Sequence, residues 1–248
     1  ALKADECQIY TDVDGVYTHL LTEDHICKMV AQIIKGHPLF FQNLRKFLSR
    51  PNKKLTYVIG NHDLGMVFEK AQKLFCEAIG EVVNFTHQLV EHGVLIEHGH
   101  RFESVNTVPR SQTIIKGPNG TPMLNLPWAS LYCIYLLPKL KELRPHFDKV
   151  RPLSQYIWWT LLNDFRFFLY LHWASIFYVL RTQFPPFGKY NKNFRITLKQ
   201  LTNIAIHPKY EKFAKRILAT RADVKIVVMG HTHITEWRRF KDGRHYFN

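Results

Sequence analysis

The sequence predicts an α/β fold interrupted by a long helical insertion. Three observations predict it. First, short apolar strands run into polar, glycine-containing turns at residues 57–63, 94–100 and 225–233. Open α/β sheets place their sites at such carboxyl ends of strands. Second, stretches with helical apolar spacing alternate with those strands. Third, residues 104–200 separate the last strand from the others and read as loop and aromatic helix.

In chain order, residues 8–10 form a short expected strand that delivers Asp12 and Asp14. Residues 23–34 carry Ile26, Met29, Val30, Ile33 and Ile34 at helical spacing. Gly36-His37-Pro38 breaks that helix, and residues 39–48 give a second one that ends before Pro51. Residues 55–59 are the strand before Gly60-Asn61-His62-Asp63, and residues 66–79 are the next helix. Residues 81–85 and 88–97 read as strands, with a turn at His92-Gly93. Residues 104–123, rich in Pro and Gly, read as a loop. Residues 124–184 are helical and aromatic, and Trp158, Trp159, Phe165, Phe168 and Trp173 are expected chiefly to fill a helical core. Residues 208–219 form a helix, 225–229 a strand, and the chain closes on a hairpin through Lys241-Asp242-Gly243-Arg244.

At 248 residues the chain accommodates one large domain, or one domain with a sizeable insertion. An apolar content of 46% excludes a disordered chain. A formal net charge of +14 attracts anions: phosphorylated substrates, nucleic acid or an anionic membrane surface. Cys7, Cys27, Cys76 and Cys133 form no C-x-x-C pair, which argues against a zinc knuckle or disulfide scaffold and fits a reducing cytosol. No uncharged apolar run reaches roughly eighteen residues, so no spanning helix is expected. The expected location is the cytoplasm, with a peripheral place at the inner membrane face as the further option.

The three turns share one chemistry. Asn61, His98, His231 and His233 offer an amide oxygen and neutral imidazole nitrogens, donors that suit manganese, iron or zinc. Two-metal hydrolysis needs cations about 3.5–4 Å apart and a bridging carboxylate. The order G-N-H-D, H-G-H, G-H-T-H resembles the calcineurin-like metallophosphoesterases. The resemblance covers about residues 4–103 and 224–248. It implies a two-sheet α/β metallophosphoesterase sandwich flanked by helices, with core segments 1–103 and 201–248 and an inserted helical cap at 104–200. In this design the chain is similar to the UDP-2,3-diacylglucosamine pyrophosphatase branch.

The resemblance also implies roles. Asn61, His98, His231 and His233 would be metal ligands. His62 would polarise the substrate or protonate the leaving group, and Asp63 would orient it. Asp12, which follows Ala4-Asp5 and has Thr11 where the family has glycine, would be the bridging carboxylate. The family's opening D-x-H motif is then expected upstream of residue 1. The other reading makes Asp12-Val13-Asp14-Gly15 a degenerate D-x-H-G. It requires a G-D motif within residues 16–59, where Asp24 is the only aspartate. His100 and Arg101 are expected to contact substrate, while Glu103 and Asn106 either line the pocket or brace the turn. The implied activity is hydrolysis of a phosphate or pyrophosphate ester, lipid-linked or soluble, by water activated on two divalent ions, manganese first among them. A nuclease or phosphodiesterase of the same fold, and a catalytically incomplete membrane-associated relative, are the alternatives.

Overall fold

The structure is a computed structural model that describes residues 20–117, 120–150, 153–183 and 209–248. It is mixed α/β, with several sheets and helices. The chain divides into two compact units. The described part of one comprises residues 20–103, 114–117, 120–124 and 209–248. The described part of the other comprises residues 104–113, 125–150 and 153–183.

The first unit opens with α1 (Glu23–Gly36). Thr22 caps it, its hydroxyl accepting from the His25 amide, and Glu23 and Asp24 lie favourably in the first turn. Ile26, Met29 and Val30 are buried as their spacing predicts, whereas Ile33 stays on the exposed rim. Pro38 starts α2 (Pro38–Leu48). A strand β1 (Thr56–Val58), a short 3-10 turn (Leu64–Val67) and α3 (Glu69–Ile79) follow. Gly80 ends α3 in the left-handed conformation, φ 73°, its amide donating to Cys76 O. Phe41, Leu48, Ile79 and Val83 form the core between α2 and α3, with Tyr57, Phe75 and Phe85 packed edge-on against it.

β1 pairs in parallel with β2 (Asn84–Thr86). The larger sheet has five strands. β3 (Gln88–Glu91) and β4 (Val94–Glu97) form a hairpin, and His92 and Gly93 both adopt positive φ, which a two-residue type I′ turn demands. After the β5 (Ile114–Lys116) and β6 (Pro122–Leu124) hairpin comes α8 (Tyr210–Thr220), which leads to β7 (Ile226–Met229). β8 (Trp237–Arg239) and β9 (His245–Phe247) complete the order β3-β4-β7-β9-β8. Leu95, Val227, Met229 and Tyr246 pack under Tyr210, Ala214 and Leu218 of α8.

Two expectations are corrected. Residues 114–116 and 122–124 are strands and not loop: Met123 and Leu124 are buried, the Leu124 amide donates to Leu21 O, and this anchors the β5–β6 hairpin in the first unit. The second correction concerns the aromatics of the other unit, whose helices are α4 (Trp128–Tyr135), α5 (Leu137–Leu143), α6 (Leu153–Asn163) and α7 (Phe165–Gln183). Its core is Leu136, Leu137, Leu140 and Phe147 against Phe167, Leu171, Ala174 and Tyr178. Trp158, Trp159, Phe165 and Trp173 are exposed. The helical period explains it: positions 167, 171, 174 and 178 share one face of α7, while 165, 169, 173 and 176 share another.

Candidate functional site

The first motif follows β1. The Ile59 amide donates to Thr86 O, and the chain then turns at Gly60. Asp63 closes this turn, its Oδ1 accepting from the Gly60 amide at 2.8 Å. The Tyr57 hydroxyl also hydrogen-bonds Asp63, and burial together with this carboxylate holds the phenol far above its usual range. A Cβ on Gly60 would lie 2.7 Å from His98 Cδ2 and 2.8 Å from Asp63 Oδ1. Glycine is therefore what lets the first motif close against the second. Asn61, next in the turn, is only 3% exposed, while His62 and Asp63 are half-buried.

The second and third motifs leave adjacent strands at the same level. β4 and β7 are parallel neighbours with Glu97 opposite Met229, and the Gly230 amide donates to His98 O at 3.1 Å. That register brings the imidazoles together. Ring centroids are 5.1 Å apart for His98 and His231, 5.3 Å for His98 and His100, and 6.5 Å for His100 and His231. Gly99 turns the chain with φ 99°, and Tyr210 lies so close that a Cβ there would meet its Cε1 at 3.1 Å. His231 and His233 themselves take left-handed φ values of 78° and 58°. Such residues cost about 1–3 kcal/mol each and concentrate at functional sites. The loop is braced from β9: Thr232 Oγ1 donates to Asn248 Oδ1, and Asn248 Nδ2 donates to Gly230 O.

Electrostatics keep the centre of this cluster neutral. Burial, followed by the neighbouring His231, His100, His62 and His233, pulls the His98 pKa down to about 3. Its Nδ1 is buried without a hydrogen-bond partner. His231 Nε2 lies 2.6 Å from Glu103 Oε2. A carboxylate oxygen accepts, so Nε2 donates, and in the neutral ring Nδ1 is then the lone-pair nitrogen. A carboxylate that fixes the tautomer of an imidazole is the usual support of a metal-ligating histidine. Beneath them, burial and Glu103 push the Tyr210 phenol well above its ordinary value, and its hydroxyl is buried without a partner.

Of the expected site residues, Asn61, His62, Asp63, His98, His100, His231 and His233 belong to these three turns. His233 is exposed, and His62 joins the groups whose charge would disfavour protonation of His98. Arg101 grips the buried Glu97 with two bonds, 2.6 and 3.1 Å, and lies over the Phe102 ring. Asp12 lies outside the described residues. Glu103, left open between lining and bracing, bonds His231 directly. Tyr210 and the buried Glu97 were not singled out at all. Glu97 has one local signal, its i,i+4 spacing to Arg101, whereas Tyr210 has none because it reaches the site through tertiary packing.

The donor set is chemically right for borderline divalent metals: a buried amide, a neutral buried imidazole with an unsatisfied nitrogen, and an imidazole with a fixed tautomer. Among the described residues no group of three His, Cys, Asp or Glu side chains stands ready to hold a metal ion. That set of residue types leaves out Asn61, and the described residues leave out Asp12. No family model, curated protein or solved structure matches the chain.

Proposed function

We propose that the unit carrying the three turns is a metal-dependent phosphoesterase core of the calcineurin-like kind, hydrolysing a phosphate or pyrophosphate ester. Its two-stranded and five-stranded sheets would be the two halves of that fold's sandwich. The observation that supports this reading is the meeting of Gly60-Asn61-His62-Asp63, His98-Gly99-His100 and Gly230-His231-Thr232-His233 around one buried, neutral imidazole.

Asn61, His98, His231 and His233, with Asp12, would hold two divalent ions, manganese first. When bound, these ions supply an activated water and neutralise charge on the phosphoryl oxygens. His62, half-buried in the first turn, holds the proton that the leaving oxygen requires. Asp63 fixes that turn through the Gly60 amide. Glu103 keeps the His231 lone pair on Nδ1. The test is manganese-dependent hydrolysis of bis-p-nitrophenyl phosphate and p-nitrophenyl phosphate, with metal content counted on the same sample. Asn61→Ala and His98→Ala are expected to lower metal occupancy and hydrolysis together. Undiminished metal in both variants would sink the assignment.

A further inference from the structure

α7 is apolar on two faces. One face is the unit's core, through Phe167, Leu171, Ala174 and Tyr178. The other carries Phe165, Leu169, Trp173, Ile176, Phe177 and Leu180, all exposed. The spacing of these six is again that of a single helical stripe. α6 adds Trp158, Trp159 and Leu162, with exposures of 67%, 52% and 80%. Trp173 stacks on Phe177 and Trp159 on Tyr156. A helix facing water carries polar residues there, and an exposed apolar stripe of this length along α7 marks an interaction surface.

Charge selects the occupant. α6 and α7 carry Arg166 and Arg181 and, apart from Asp164, no acidic residue, within a chain of formal net charge +14. Asp164, at the start of α7, is engaged by Arg144 and caps the helix at the Phe167 amide. A second copy placed face to face would oppose like charges across a self-complementary contact. An anionic lipid surface offers the opposite sign and accepts Trp, Phe and Leu at headgroup depth. Trp158, Trp159 and Trp173 are three of the chain's five tryptophans, the residue type most enriched at membrane interfaces along with Tyr. No described helix is long and apolar enough to cross a membrane, so the contact lies in the interface plane.

We infer that the outward face of α6 and α7 docks this chain onto an anionic bilayer surface. The inference rests on this unit alone and holds whether or not the histidine cluster hydrolyses phosphate esters. The experiment is co-sedimentation of the full chain with vesicles of phosphatidylcholine alone and of phosphatidylcholine with a minor share of phosphatidylglycerol. Binding to the mixed vesicles is expected, with weak binding to the neutral ones. Because the whole chain is cationic, the aromatic contribution is isolated at about 0.5 M salt, where charges beyond a few ångströms are screened. There the Trp158→Ser, Trp173→Ser double variant should lose roughly tenfold or more of its partition, since each exposed ring would bury a large apolar area. Its thermal midpoint should stay at the parent value. On the unaltered chain, tryptophan emission should shift to the blue and be quenched by brominated lipid. Equal partition of parent and double variant, absence of quenching, or a dimer that the double variant dissociates without any vesicle binding would each overturn the inference.

Discussion

In the unit that carries the histidines, each carboxylate of the site has a defined partner: Glu97 with Arg101, Glu103 with His231, Asp63 with the Gly60 amide, while His98 Nδ1 and the Tyr210 hydroxyl are buried without one. In the aromatic unit the core cluster is apolar, the buried Thr113 and Thr160 hydroxyls donate to backbone carbonyls three residues back, and much of what is exposed is apolar too. The first arrangement concentrates consequence in single atoms, because a buried polar group left without its partner costs its full desolvation. The second spreads consequence over area, so that no one outward side chain matters to folding. The comparison is sharpest at His62. His62→Ala should retain bound metal and lose about 10²–10⁴-fold in kcat, the usual contribution of a general acid or base. Loss of metal instead would move His62 into the ligand set.

Glu103→Gln comes next. An amide can still accept from His231 Nε2 but carries no charge to orient the ring, so manganese affinity should fall roughly 10–100-fold. Titration by calorimetry checks it, and unchanged affinity would reduce Glu103 to a brace. Gly60→Ala should destabilise by about 1–3 kcal/mol in urea, because the new methyl meets His98 and Asp63 below 3 Å. The acid limb is subtler. The folded His98 pKa lies near 3, below the ordinary imidazole value of about 6.5. Over that interval the unfolded chain binds the proton and the folded chain does not, so this group's contribution makes stability fall as pH drops from about 6.5 towards 3. In chelator, His98→Asn should flatten that slope, measured as urea midpoints at successive pH values. Smallest of all, Leu162→Ser on the outward face of α6 should change stability by less than about 0.5 kcal/mol. A larger loss would mean that the face is covered within the folded chain.

Much of this contrast was legible in the sequence, and the reason is local. Pro38, Gly80 and His92-Gly93 punctuate the chain through φ preferences that need no tertiary context, and the helices and strands around them fall where expected. The three site turns were legible because glycine and its polar neighbours are adjacent in sequence. Glu103 and Tyr210 were not, because they reach the histidines only once β4, β7 and α8 have packed. The orientation of the tryptophans is not legible in the sequence for a related reason. Composition reports that a helix is apolar, but the face that turns inward is decided by its partner. In α7 both faces are apolar, so the pattern alone cannot choose.

The parallel register of β4 and β7 has a consequence for how such a chain can change. Glu97 and Met229 sit opposite one another although most of the aromatic unit is threaded between them. The distance between the H-G-H and G-H-T-H turns is set by one ladder of hydrogen bonds and not by the length of chain that joins them. Loop-closure entropy grows so slowly that doubling an intervening segment costs only about 0.6 kcal/mol. Insertion or loss of residues in that segment therefore leaves the histidines in step. A single residue added within β7 would instead carry His231 one pleat along and turn each side chain of the shifted part to the opposite face. The chain is thus free to vary in length where it is long and rigidly counted over four residues where it is short.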